Sequence, residues 1–182
     1  LPKAQPENGP FPTPETRHAM AVLPIITAPD PRLKLACEPV ARMDDSVRKL
    51  MDDMLETMYL APGIGLAAPQ IGVPKRVLVV DVPREGDAKA PIRMANPEIV
   101  SVSDEMMTYE EGCLSVPDHY ADVERPARAR VRYLDYQGEI REQDFDGLAA
   151  TCIQHEVDHL NGEIVWRAAL IAGVLPGGFI AK

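Results

Sequence analysis

Between residues 44 and 59 the apolar positions recur at helical spacing. In DDSVRKLMDDMLETMY, Val47, Leu50, Met51, Met54, Leu55 and Met58 fall on one side, with charged residues opposite. This pattern predicts an amphipathic helix with Asp44, Asp45 or Ser46 as its N-cap. Its methionines read as core, because a flexible thioether fills irregular gaps between packed elements. Pro62 and the glycines after it end the helix. The period then shortens: VLVVDV from Val77 reads as a buried strand bounded by Pro74 and Pro83, and IRMANPEIVSV and ARVRYLDYQGE read as further strands, the latter ending in a turn at Gln137 and Gly138. A last helix is expected after Asp146, over GLAATCIQHEVDHL, with Gly162 just past its end. The order helix, strands, helix predicts an α+β fold: mostly antiparallel β-sheets packed around a C-terminal helix, with an N-terminal amphipathic helix.

The 182 residues suit one compact domain. Residues 1–20, rich in Pro and polar side chains and without an apolar run of signal-peptide length, read as a flexible leader or tag remnant, and 21–182 as a single domain. A net charge of -9 argues against a broad nucleic-acid interface, which needs clustered Lys and Arg. Three cysteines, Cys37, Cys113 and Cys152, with no Cys-x-x-Cys pair, indicate neither a disulfide framework nor a zinc ribbon, and fit a reducing compartment.

The chemistry concentrates in TCIQHEVDHLNG at 151–162. Residues four apart on a helix lie one turn apart on the same face, so His155 and His159 can aim at one metal ion, with Glu156 beside it as a proton acceptor. A catalytic metal usually has three protein ligands and one open position. No His or Cys follows His159, so the third ligand is expected upstream, among His18, Cys37, Cys113, His119 and several carboxylates. Cys113 is the foremost candidate: a thiolate is the strongest soft donor, and in YEEGCLSVPDHY the chain can turn tightly at Gly112. Gly63, Gly65 and Ala68 also match G-x-G-x-x-A, but that stretch follows a helix and Pro69 would interrupt a new one, so dinucleotide binding is not expected.

Three separated segments, GIGLAAPQIG at 63–72, EGCLSVP at 111–117 and QHEVDHLNG at 154–162, together resemble the motifs of the peptide deformylase family, in its order and spacing. The resemblance implies that Cys113, His155 and His159 hold one divalent metal, Fe2+ natively, with Zn2+, Ni2+ or Co2+ compatible in purified protein. It implies hydrolysis of the N-formyl group of formyl-methionine on newly made polypeptides, with metal-bound water as nucleophile and Glu156 as general base and acid. Gln70, through its amide, and Leu114, through its backbone N–H, would stabilise the charge on the formyl oxygen. Ile64 and Gly65 would contact the peptide, and Cys152 and Ile153 would line the methionine pocket. Glu111 would order the loop around Cys113 and contribute to the substrate-binding wall, with His119 and Tyr120 at the rim. A bacterial cytoplasm is the expected setting, with an organelle of bacterial ancestry as the alternative.

After Gly162 the family's usual charged, often basic, helix is replaced by EIVWRAALIAGVLPGGFIAK, an apolar tail from about 163. This puts ribosome contact in doubt, and Arg167 and Pro176-Gly177-Gly178 argue against a membrane span. Two rival readings stand beside deformylation: a metal-dependent amidase or peptidase of other specificity, and a non-catalytic metal-binding protein that would leave Glu156 and Gln70 unexplained.

Overall fold

The computed structural model describes residues 21–82 and 88–163. The leader over 1–20 and the tail after 163 lie outside the described residues. The chain runs α1 (Asp45–Leu60), β1 (Gly65–Ala67), β2 (Val77–Val80), β3 (Ile92–Val102), β4 (Met106–Cys113), β5 (Val116–Pro126), β6 (Arg128–Leu134), β7 (Ile140–Asp146) and α2 (Gly147–Leu160). A five-stranded sheet has the order β1-β2-β3-β6-β7, and β4 and β5 form a separate two-stranded ribbon. Every pairing between these strands is antiparallel.

The α+β expectation is met, and the periodicities explain how. Asp44 caps α1, its Oδ1 accepting from the backbone N–H groups of Ser46 at 3.0 Å and Val47 at 3.2 Å. Met51, Met54 and Met58 are fully buried against Leu66, Val77, Val79 and Ala95, on one face of the large sheet. Leu78, Val80, Met94 and Val131 face the other way and meet Ile153, Val157 and Leu160 of α2. The run VLVV does not alternate in polarity because both of its faces are covered, one by each helix. Asp146 occupies the N-cap position of α2, although its carboxylate makes no capping hydrogen bond. Just past α2, Gly162 adopts φ +74°, as a C-terminal glycine should.

Four elements lie where no strand was predicted, or where only a loop was. β7 is an edge strand with Phe145 as its one buried residue, so it carries no apolar pattern. β1 is three residues long, and is buried because β2 and both helices surround it. The β4–β5 ribbon is polar and only partly buried along its length. Pro69 lies in the first turn of a short 3-10 segment, Ala68–Ile71, and no α-helix starts there. No helix among the described residues is long and apolar enough to cross a membrane.

Because Met54 is fully enclosed between α1 and the sheet, Met54→Ala should lower unfolding free energy by about 2–5 kcal/mol, from lost burial plus the cavity left behind. Urea denaturation followed by far-UV circular dichroism measures this; a loss under about 1 kcal/mol would show that the α1 interface is not close-packed.

Candidate metal centre

Helix α2 lies against the sheet and carries polar side chains inward: Gln154, His155, Glu156 and His159 are all buried. Polar groups removed from water need partners, so each raises the question of what satisfies it. The His155 and His159 rings meet edge to face one turn apart, with centroids 5.0 Å from each other. Their Nε2 atoms approach to 3.2 Å, and His159 Nε2 lies 3.3 Å from Cys113 Sγ.

Cys113 reaches the helix by way of a break in the β4–β5 ribbon. Strand register jumps from Gly112↔Tyr120 to Cys113↔Val116, so Leu114 and Ser115 form a two-residue turn and residues 117–119 bulge outward. Asp118 takes a positive φ of 62° inside that bulge. The thiol is thereby aimed at α2 instead of along the ribbon. Around a tetrahedral ion with ordinary bond lengths, two nitrogens sit about 3.3 Å apart and a nitrogen and a sulfur about 3.6 Å apart. The three donor atoms here all lie within 4.8 Å of one another, so this set fits a single metal ion.

Gln70 is almost fully buried, and its orientation is set by its hydrogen bonds. Ala67 N–H donates to Oε1 at 2.8 Å, which turns Nε2 toward the ribbon, 3.2 Å from Ser115 Oγ and 3.7 Å from Cys113 Sγ. The amide N–H groups therefore point at the space beside the thiol. Ser115, fully buried, is a partner that reading the sequence missed. Nothing in a lone serine within EGCLSVP distinguishes it, since its role depends on the turn that sets it opposite Gln70.

Behind the donors, Glu111 Oε2 accepts from His155 Nδ1 at 2.9 Å. This bond fixes the ring with Nε2 facing the cleft. Arg125 donates from Nε to Glu111 Oε1 at 2.6 Å, from its second terminal nitrogen to Oε2 at 3.1 Å, and from its first to Asp158 Oδ2 at 2.8 Å. Burial pushes the Glu111 carboxyl up, but the hydrogen bonds from His155 and Arg125 outweigh it and hold the group below its ordinary range. His159 is held well below the usual imidazole value by burial and then by His155, so it stays neutral. His155 moves the other way: burial opposes its charge, but hydrogen bonds to Cys113 and Glu111 prevail. A metal ion must displace that proton, so uptake weakens as pH falls.

Glu156 is buried, its Oε2 has no hydrogen-bond partner among the described residues, and burial, opposed by His155, raises its carboxyl to about 7. A carboxyl poised there can both accept and return a proton near neutral pH. It borders a cleft of about 400 Å³, whose walls include Ile64, Gly65, Gln70, Leu114, Cys152 and Glu111. Two expectations change. Ile153 is fully buried and packs on the sheet, because a residue two before His155 on the helix faces away from the cleft. Glu111 lies in the cleft wall, but its carboxylate is committed to His155 and Arg125, so a direct contact with substrate is not what it offers. Cys152 flanks the cleft, its Sγ 3.6 Å from the Ile64 carbonyl, and burial raises its thiol well above the ordinary value, so it stays protonated. Tyr120 stands exposed at the rim over Gly112, with His119 nearby.

Two imidazoles and a thiol that share one point, next to a buried carboxylate free to take a proton, are the equipment of a metal-dependent hydrolase. Comparison with known proteins narrows the class. The sequence model of the polypeptide deformylase family matches residues 22–169, and this chain belongs to that family. It is 62% identical over 143 residues to the peptide deformylase of Phenylobacterium zucineum, covering 79% of this chain and 85% of that protein. Over the same length it is 57% identical to the peptide deformylase of Agrobacterium fabrum, with 79% and 84% covered. The crystal structure of the Ehrlichia chaffeensis peptide deformylase superposes with a TM-score of 0.78 at 46% identity, covering 81% of this chain and 88% of that one. The same enzyme in complex with actinonin gives 0.78 at 47% identity, with 82% and 89% covered.

A Cβ at Gly65 would overlap Glu156 Oε1 and come within 2.7 Å of Cys152 Sγ. Gly65→Ala should therefore displace the carboxylate and lower kcat by roughly 100-fold, the scale of a misplacement of about 1 Å, while bound metal per chain stays the same. Steady-state kinetics beside metal analysis checks this; wild-type kcat would show that Glu156 tolerates the shift.

Proposed function

We propose that this cleft removes the formyl group from N-formyl-methionine at the start of newly made polypeptides, releasing formate and a free amino terminus. The observation that carries the reading is the convergence of Cys113 Sγ, His155 Nε2 and His159 Nε2 beside a buried, unpartnered Glu156 oxygen and a fixed Gln70 amide. Cys113, His155 and His159 would hold one divalent cation, Fe2+ in the cell, with Zn2+, Ni2+ or Co2+ accepted by the same mixed donor set. When bound, the cation supplies the Lewis acidity that makes water a competent nucleophile near neutral pH.

The chain's own groups do the rest. Glu156 takes a proton from the attacking water and hands it to the nitrogen of the departing amine, so it begins and ends the cycle ionised. Gln70 Nε2–H and the Leu114 N–H donate to the formyl oxygen as it gains negative charge. Both donors are held before substrate arrives: the Gln70 side-chain amide by the Ala67 N–H, and the Leu114 backbone by the Cys113↔Val116 turn. Ile64 and Gly65 present the edge of β1 to the peptide, where an extended chain can add as a strand. Cys152 and Ile64 bound the side-chain pocket. The bacterial relatives favour a bacterial cytoplasm as the working compartment.

The deciding experiment is formate release from a formyl-Met tripeptide by protein purified without oxygen, run beside acetyl-Met peptide and a chelated control. Formate from the formyl substrate alone, and only with metal present, is expected; equal cleavage of the acetyl peptide would replace this reading with a broader amidase. Glu156→Ala should keep its metal and lose roughly 10²- to 10⁴-fold in kcat, the usual worth of a general base. Gln70→Ala should lose about 10²- to 10³-fold in kcat with little change in KM, since its donor acts on charge that develops late. Either variant turning over at the wild-type rate would remove that residue from the mechanism.

A further inference from the structure

Arg125 lies in none of the three motifs, yet it is the most heavily engaged charged side chain near the metal donors. Its side chain is 11% exposed, and its three nitrogens make a two-pronged contact with Glu111 and a third with Asp158. The positions of its partners give this meaning. Glu111 stands two residues before Cys113 on β4, hence on the same face of the strand. Asp158 stands three residues after His155 and immediately before His159 on α2. One guanidinium thus bridges the ribbon that carries the thiolate and the helix that carries both imidazoles.

These two pieces belong to different units of structure. β4 and β5 form a sheet of their own, separate from the five-stranded sheet on which α2 rests. The position of the Cys113 turn relative to the histidines therefore rests on the contacts that cross between these units, among them Ala28 N–H to the Ser115 carbonyl, Gln154 Nε2 to the Pro126 carbonyl, and the Arg125 network. Stability alone does not explain burying Glu111 and Arg125 together, because a buried ion pair is often no more stabilising than apolar side chains of the same size. Orientation does explain it. A planar fork fixes the Glu111 carboxylate in one rotamer, and that carboxylate fixes the His155 ring through Nδ1.

We propose that Arg125, with Asp158, is a positioning residue that clamps the ribbon to α2, holding Cys113 in register with His155 and His159 so that the three donors close on one ion. A lysine could not replace it, because a single ammonium cannot grip Glu111 with two parallel bonds and still reach Asp158. The clamp acts on metal retention and ligand geometry and leaves peptide binding alone. It rests on the assignment of Cys113, His155 and His159 as one metal site.

The test is the rate at which the Zn2+-loaded full chain releases metal to a chromophoric chelator, paired with the absorption spectrum of the Co2+-loaded protein. Groups behind a metal ligand are typically worth 10- to 100-fold in affinity. Arg125→Met should release Zn2+ about 30-fold faster, Arg125→Lys should restore little of the loss, and Asp158→Asn should release it several-fold faster. The double variant should be no faster than Arg125→Met, because both changes open the same clamp. In Co2+ protein the thiolate charge-transfer band should weaken or shift in each variant, while KM for the formyl peptide stays within twofold. Arg130→Met, which breaks an exposed ion pair with Asp144 far from the donors, is the control for general loss of charge. Should Arg125→Met fail to fold, Arg125→Lys and Asp158→Asn carry the comparison. Release rates and Co2+ spectra unchanged in Arg125→Lys and Asp158→Asn would overturn the clamp. A wild-type chain that takes up no Zn2+ would instead overturn the metal site beneath it.

Discussion

Everything at this site depends on one costly arrangement: polar side chains of a single helix, among them Gln154, His155, Glu156 and His159, turned into the protein rather than toward water. Removing such groups from solvent without partners costs several kcal/mol in all, so the fold must meet each of them with a complementary atom. Gln154 is met by the carbonyls of Pro126 and Ala150, each at 3.0 Å. His155 is met by Glu111, and Glu111 by Arg125. His159 and the Glu156 carboxylate have no comparable protein partner at His159 Nδ1 and Glu156 Oε2, and these are among the few buried side-chain atoms left without one in the described residues. Of these, the Glu156 oxygen borders the cleft where the donors converge.

The two sheets divide the labour. The large sheet, covered by α1 and α2 on opposite faces, holds the helix that supplies the imidazoles and Glu156. Its edge strand β1 and the adjoining 3-10 turn supply Gly65 and Gln70. The small ribbon supplies Cys113, Leu114 and Ser115 from one turn. The N-terminal segment ties the turns together, since Ile26 N–H donates to the Gln70 carbonyl and Ala28 N–H to the Ser115 carbonyl, both at 2.8 Å. Backbone contacts between parts that are far apart in sequence thus fix the two turns relative to each other.

Much of this was legible beforehand, and for identifiable reasons. Helices α1 and α2 announce themselves because each must bury a face against the sheet at a period near 3.6 residues, and because Asp44 and Gly162 mark ends that local chemistry defines. His155, Glu156 and His159 could be paired on spacing alone, since a helix fixes what lies one turn apart. Cys113 could be ranked first by donor type, but its role came only from the family resemblance, because no local rule says that the ribbon turns back toward α2. The polar ribbon and β7 were illegible: strands with little buried area carry no alternation to detect. Ile153 faces the sheet instead of the cleft, because nearness in sequence to a helical ligand is not nearness in space. Arg125 and Ser115 were invisible because their importance lies wholly in long-range pairing, with Glu111 and with Gln70.

The central claim is that Cys113, His155 and His159 close on a single ion, and the most direct measurement is X-ray absorption at the metal edge of the Zn2+-loaded full chain. The structure predicts one sulfur at about 2.3 Å and two imidazole nitrogens at about 2.0–2.1 Å, with the sulfur signal lost in Cys113→Ser. A wild-type first shell of nitrogen and oxygen alone would contradict it.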